Sequence, residues 1–328
     1  MAPKKSHLDL LKECDSFPYP STDPVLYSQH IGTYYHLRVA AYPDVTLGFL
    51  LPSVALTLRG LPDWEVSEED AQPRTITLIN GTNEQERSAI VAKTVTAMRQ
   101  TGHWKVLEKW RNELYAVYGP DGDMAFAIER SASPLFGVVT YGVHLTCYTR
   151  DVDSGAMKIW IPRRAKNKQT YPSMLDNSVA GGIAAGEEPF ECLVREAMEE
   201  ASLPEAISRK AKAAGCVTYF YIRDERAGGE TGLLQPECQY IYDLDLTGAK
   251  DEHGDGVVCK PNDEEVEAFE LLDVEQVITA LGNGEFKPNC ALVMIEFLVR
   301  HGYITKENER NYAEIVTRCH RRLEFPMG

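Results

Sequence analysis

Between positions 181 and 203 the chain reads Gly-Gly-Ile-Ala-Ala-Gly-Glu-Glu-Pro-Phe-Glu-Cys-Leu-Val-Arg-Glu-Ala-Met-Glu-Glu-Ala-Ser-Leu, and no other segment restricts what it can fold into so tightly. The opening glycines permit torsions and close backbone approach that side chains would forbid. Pro189 suits the first turn of a helix, and neither Gly nor Pro recurs until Pro204, so the segment predicts a helix over 189–201. Glu196, Glu199 and Glu200 stand at i, i+3 and i+4, which puts three carboxylates on one face of that helix within a few ångströms of each other. Phe190, Leu193, Val194, Ala197 and Ala201 supply its apolar stripe. Three acids on one patch repel, and helix propensity does not offset the cost; a divalent cation does. Oxygen-only ligation suits Mg²⁺ or Mn²⁺ rather than zinc. A solvated acidic face is the competing reading of the three glutamates taken alone.

A chain of 328 residues suits two unequal domains. Apolar residues make up 44% and charged residues 25%, which provides for a buried core and excludes disordered or collagen-like chains. Lys and Arg total 34 against 49 Asp and Glu, a net charge of −15 that opposes a surface built to hold a phosphate backbone and removes nucleic acid from the partner classes. Any anionic ligand then needs a local basic cluster. No apolar run approaches the roughly 18 residues of a membrane span. The start, Met-Ala-Pro-Lys-Lys-Ser-His, lacks the apolar stretch of a secretory signal, and the eight cysteines are scattered singly without a C-x-x-C pair. A reducing, cytoplasmic setting is the expectation, with no membrane partner; the oligomeric state is left open.

Patterning divides the chain near Ser131-Ala-Ser-Pro134, giving an N-terminal domain over 1–134 and a second domain over 135–328. In the first, Leu8–Cys14 is a short amphipathic segment, and prolines in Phe17–Tyr27 argue against a long helix there. Thr75–Ile79 alternates like a strand, 83–101 carries helical spacing closed by Gly102, and Tyr115–Tyr118 with Met124–Glu129 flank Gly119-Pro-Asp-Gly122 as a hairpin. In the second, strands are expected over 138–149, 157–161, 216–223, 238–246 and 266–272, a capped helix from Asp273 to Gly282, and a last apolar helix over 290–302. Strands and helices mix without strict alternation, so the class is α+β.

The spacing of Gly181, Glu187, Arg195-Glu196, Glu199-Glu200 and Leu203 resembles the Nudix box, G-x5-E-x7-R-E-U-x-E-E-x-G-U, with Ser202 standing where the family has its second glycine. The resemblance implies a C-terminal α/β/α sandwich around a mixed sheet, preceded by the smaller α+β domain. It implies that Glu196, Glu199 and Glu200 are Mg²⁺ (or Mn²⁺) ligands and that Glu196 or Glu200 also orients or deprotonates the attacking water. Arg195 is similar to the family arginine that pins a box carboxylate, Glu187 to the outer acidic residue, and Gly181 and Gly182 support the box. One further metal carboxylate from outside the box is assigned to Glu264 or Glu265, in the run 263–265.

Upstream, Arg163, Arg164, Lys166 and Lys168 put four cations into six residues, the basic cluster an acidic chain needs if it binds phosphate. This segment, with Thr140-Tyr-Gly-Val-His144 before it and Phe286–Leu292 after it, resembles the thiamine-pyrophosphokinase-related Nudix hydrolases of fungi and plants. That likeness implies cleavage of thiamine diphosphate, and preferentially of its oxidised analogues, to the monophosphate and phosphate. A hydrolase of nucleoside diphosphate derivatives such as ADP-ribose and a non-catalytic Nudix ligand sensor are the alternatives. The N-terminal domain offers no recognisable catalytic constellation, and its Trp and Tyr residues read as core.

Overall fold

The computed structural model describes residues 4–168, 170–262 and 264–328. Ser6 and Asp9 form a capping box that opens α1 (His7–Cys14). Helix α2 (Pro24–Thr33) follows, with Pro24 in its first turn and Asp23 capping Leu26 N–H. The proline expected to disfavour a helix in this stretch is the residue that starts one, because a first-turn N–H has no intrahelical partner to lose. Next come β1 (Tyr35–Val39), β2 (Gly48–Leu50), α3 (Pro52–Leu58), β3 (Trp64–Val66) and β4 (Thr75–Leu78), a sheet in the order β2-β1-β4-β3 with β1 and β4 parallel. Helix α4 (Glu84–Gln100), the short α5 (Lys105–Glu108), the hairpin β5 (Leu114–Tyr118) and β6 (Met124–Glu129), and α6 (Ser133–Phe136) complete this part. Leu37, Trp64, Ile76, Val91, Phe126 and Phe136 are among the buried residues of its core.

The rest contains β7 (Thr140–Arg150), β8 (Met157–Arg164), β9 (Val179–Gly182), α7 (Pro189–Ala201), α8 (Glu205–Ser208), β10 (Lys212–Ile222), β11 (Leu234–Asp245), β12 (Val266–Asp273), α9 (Val274–Gly282), α10 (Pro288–Arg300) and α11 (Tyr312–Cys319). Strands run β10-β11-β7-β8-β12 with β9 on β7, and the parallel pairing of β11 with β7 among antiparallel neighbours makes the sheet mixed. One face packs Val143 and Leu145 against Leu193, Ala197 and Ala201 of α7. The other packs Ile159, Ile161 and Val217 against α9, α10 and α11, so the layers are helix, sheet, helix. Helix α11 lies beyond the one expected to be last.

The chain's first helix is built into this second core. Leu8, Leu10, Leu11 and Cys14 of α1 are buried with Phe297 and Ile315, and Phe17 stacks on Phe220 with ring centroids 4.1 Å apart. Each such leucine contributes roughly 1.5–3 kcal/mol by leaving water. At the seam between the two parts, Leu114 C=O of β5 accepts from Ala185 N–H at 2.7 Å, in the loop that leads into α7.

Candidate active site

Strand β9 and helix α7 form the centre of the site. Antiparallel pairing sets Gly182 opposite Gly142, Gly181 opposite Val143 and Ala180 opposite His144. Pro189 opens α7 as its position predicts, and Cys192, Leu193, Val194, Ala197 and Ala201 are its buried face. The two glycines of β9 are dictated by close approach. A Cβ at 181 would sit 2.3 Å from Glu196 Cδ, and a Cβ at 182 would sit 2.1 Å from the Tyr115 hydroxyl. Ser202 takes the left-handed conformation at the end of α7, φ +54°, which a glycine adopts without a Cβ penalty.

Arg195 lies across the outer side of the helix. Its Nε and Nη2 donate to both oxygens of Glu187 at 2.9 and 3.1 Å, and its Nη1 donates to Glu196 at 2.9 Å and Glu199 at 3.0 Å. Glu187 also accepts from Ala184 N–H. The Glu196 side chain is only 15% exposed, and burial pushes its carboxyl up from the usual value in spite of Arg195. Glu200 accepts from Ala180 N–H at 2.9 Å; loss of solvent pushes it well above the usual carboxyl range, with Asp176 and Glu196 adding to the effect. Glu199 is half-exposed.

The three carboxylates are therefore not a ready-made cage. Among the described residues no group of three His, Cys, Asp or Glu side chains stands close enough to hold a metal ion. Mutual repulsion explains the difference from the single patch that helical spacing predicts: each carboxylate turns to the nearest donor, Arg195 or the β9 backbone. The donor chemistry still fits a hard cation. Glu196 meets β9 at Gly181 and Glu200 meets it at Ala180, so two desolvated carboxylates approach the same strand.

The four cations of the basic segment all meet carboxylates of the chain. Arg164 donates to Asp176 at 2.6 Å and to the carbonyls of Tyr171 and Thr170, inside the protein. Burial favours the neutral form of Asp176, yet Lys287 and Arg164 hold its carboxyl well below the usual range. Arg163 donates to Ser173 C=O and lies 3.5 Å from Glu270; Lys166 lies 3.3 Å from Glu267; Lys168 pairs with Glu265. Each of the four thus has a carboxylate partner, which a chain of net −15 readily supplies. Glu265 is engaged by Lys168, Glu264 lies on an exposed turn, and Asp263 of the same run lies outside the described residues.

A cavity of about 270 Å³ opens beside β9, lined by Ala180, Gly181 and Gly182 and by Tyr115, Tyr141, Tyr171, Tyr219 and Tyr221. Its cations are Lys109, Arg111, Arg130, Arg223 and Lys287, none from the 163–168 cluster. Glu237, accepting from the Tyr219 hydroxyl at 2.5 Å and from Gln239 Nε2 at 2.6 Å, forms a polar part of its wall with Gln235. Sequence reasoning missed Tyr115 and Arg130, because one sits in an apolar strand and the other directly after one, with no spacing to mark them.

Residues 141–290 match the family model of the NUDIX domain, and residues 38–140 match a domain of unknown function, DUF4743. An uncharacterized protein of Saccharomyces cerevisiae is 45% identical over 66% of this chain and 63% of its own length. Two Arabidopsis thaliana proteins named Nudix hydrolase 20, chloroplastic, and Nudix hydrolase 24, chloroplastic, are 36% and 35% identical over 73% and 68% of this chain and 59% and 57% of theirs. The matched stretches thus span about 60% of these relatives. No helix among the described residues is long and apolar enough to cross a membrane. With the helix–sheet–helix layering, the glycine strand and the carboxylate helix in place, residues 141–290 of this chain are a domain of the Nudix superfamily.

Proposed function

We propose that the chain is a Mg²⁺-dependent hydrolase of diphosphate bonds in small molecules, cleaving thiamine diphosphate-like substrates, with preference for oxidised analogues, to the monophosphate and phosphate. The observation that carries this reading is the cavity that opens directly onto β9, where Glu196 and Glu200 also arrive. Its tyrosines suit a flat heteroaromatic ring, its cations suit phosphate, and its few polar groups suit recognition of ring edges.

Glu196, Glu199 and Glu200 are assigned to holding Mg²⁺, which when bound would polarise the diphosphate and neutralise the charge that develops on it. Glu196 or Glu200 orients the attacking water and takes its proton; burial raises both carboxyls above their usual value. Arg195, pinned by Glu187, fixes the outer side of Glu196. Selectivity for oxidised analogues follows if the wall offers a donor where the natural ring carries an amino group, since two facing donors cost about 1–3 kcal/mol when buried.

The test is a turnover panel of thiamine diphosphate, oxythiamine diphosphate, ADP-ribose and nucleoside diphosphates with Mg²⁺. The reading expects phosphate and monophosphate in equal amounts and the highest kcat/KM for oxythiamine diphosphate. Faster turnover of ADP-ribose than of every thiamine derivative would overturn the substrate assignment and leave diphosphate hydrolysis standing.

A further inference from the structure

The cavity has two owners. Ala180, Gly181 and Gly182 line it from the Nudix side, whereas Lys109, Arg111, Tyr115 and Arg130 line it from the preceding region, the part matched by the domain of unknown function. In a chain of net −15, three cations on one wall next to a carboxylate helix constitute a local reversal of charge. We propose that this region completes the active site, with Arg130 binding the substrate's phosphate group and Tyr115 positioning it; the proposal rests on the diphosphate reading above and assigns the residue that reads the anion.

Arg130 has the geometry for that role. It follows β6 directly, and its guanidinium lies over the Tyr115 ring at 5.4 Å from the centroid, a stack that fixes the plane of the fork. The hydroxyl of the same Tyr115 reaches the place a Cβ of residue 182 would occupy, so the ring that carries Arg130 rests on the β9 glycines. The hydrogen bond from Ala185 N–H to Leu114 C=O, one residue from Tyr115, ties the hairpin to the loop before α7. Among the described residues, the one hydrogen-bond partner of the Arg130 side chain is Glu113, which takes Nη1 at 2.8 Å. The remaining N–H groups are left for an acceptor in the cavity, and a planar fork with two donors suits a phosphate. The charge of Arg130 also acts on Glu196, which places it within electrostatic reach of the carboxylates. By contrast, Arg164 is committed to buried Asp176, so the loop that sequence spacing favoured cannot release its best-buried cation without stranding an acid.

The test uses the full chain and inorganic pyrophosphate as probe, with Mg²⁺, read by calorimetry, beside a melting curve for each variant. Arg130→Ala is expected to weaken pyrophosphate binding by tenfold or more, Arg130→Lys to recover part of that loss, and the KM for the turned-over diphosphate to rise more than kcat falls. Arg130→Gln carries the test if Arg130→Ala fails to fold. Glu113→Gln separates binding from support: it removes the carboxylate charge that competes with phosphate for Arg130 while its amide oxygen still accepts from Nη1, so affinity is expected to stay or improve, whereas an arginine held only for its ion pair with Glu113 would make Glu113→Gln as harmful as Arg130→Ala. Arg130 variants that bind pyrophosphate within twofold of wild type, or Glu113→Gln and Arg130→Ala falling together, would overturn the proposal while wild-type turnover of a diphosphate leaves the functional reading intact. A wild-type protein that neither binds pyrophosphate nor hydrolyses any diphosphate would overturn both.

Discussion

Replacing Gly181 by alanine should separate catalysis from folding. The added Cβ would lie 2.3 Å from Glu196 Cδ and 2.4 Å from its Cγ and Oε1, where carbon contacts normally lie at about 3.5–4.0 Å. Glu196 therefore has to retreat by more than about 1 Å, and its 2.9 Å bond from Arg195 is lost or re-aimed. The clash falls on the far end of a flexible side chain, so the fold tolerates it. A glycine-to-alanine change in a compatible backbone even tends to stabilise by about 0.4–1 kcal/mol through the unfolded chain. A displacement of 1 Å at a reacting centre, however, can cost roughly 10²-fold in rate. Steady-state phosphate release with Mg²⁺, beside a urea or thermal melt, is the assay. The expected result is kcat lowered about a hundredfold with the melting midpoint unchanged or slightly raised, and no further loss when Gly181→Ala is combined with Glu196→Gln. Activity within threefold of wild type, or losses that multiply in the double variant, would refute the reasoning that Gly181 acts by admitting Glu196.

Ser202→Gly should raise stability by about 1 kcal/mol, seen as a higher melting midpoint, because position 202 sits at φ +54° where only glycine lacks a Cβ penalty; a lower midpoint would show that the serine is unstrained. Arg164→Ala should cost about 3 kcal/mol in urea unfolding by taking from buried Asp176 its salt bridge and leaving Lys287 as its nearby cation, the Arg164 and Asp176 side chains being 12% and 11% exposed, whereas Lys166→Ala, 78% exposed, should leave the transition in place. Equal effects of the two would contradict the structural role given to Arg164. Burial holds His144 down from 6.5 to about 4, so the folded state binds fewer protons than the unfolded. Its contribution is complete above pH 6.5 and lost as pH falls towards 4, on the order of 3 kcal/mol, and the stability difference between wild type and His144→Gln should change by that amount across the window.

The carboxylate helix was legible because its signals are local. Pro189, the apolar stripe and the glutamate spacing lie within 13 residues and require no knowledge of the rest of the fold. The hairpin around Gly119-Pro-Asp-Gly122 and helix α4 were legible for the same reason. Helix α2 was hidden by its own proline, whose meaning depends on whether it falls in the first turn or later. The cavity was hidden more deeply. Arg130 gains its place only through the approach of the β5–β6 hairpin to β9, which begins 50 positions after the hairpin ends, and no pattern within either segment encodes that contact. Conversely, the cluster at 163–168 looked available for phosphate because spacing counts cations, whereas the fold decides which carboxylates they meet: Asp176, Glu265, Glu267 and Glu270.

Phosphate release by wild type and by Glu200→Gln, on whichever diphosphate the panel finds turned over fastest, tests the central claim most directly. Glu200 combines the strongest burial penalty among the three box glutamates with a hydrogen bond from Ala180 N–H, so its amide isostere removes the charge while keeping an acceptor for that bond. The account predicts turnover that requires Mg²⁺ in wild type and falls by about 10² or more in Glu200→Gln. It also predicts a melting temperature for the metal-free variant at or above that of wild type, since a buried like charge has been removed. Turnover within threefold of wild type, or wild-type turnover undiminished by chelation of divalent cations, would contradict it.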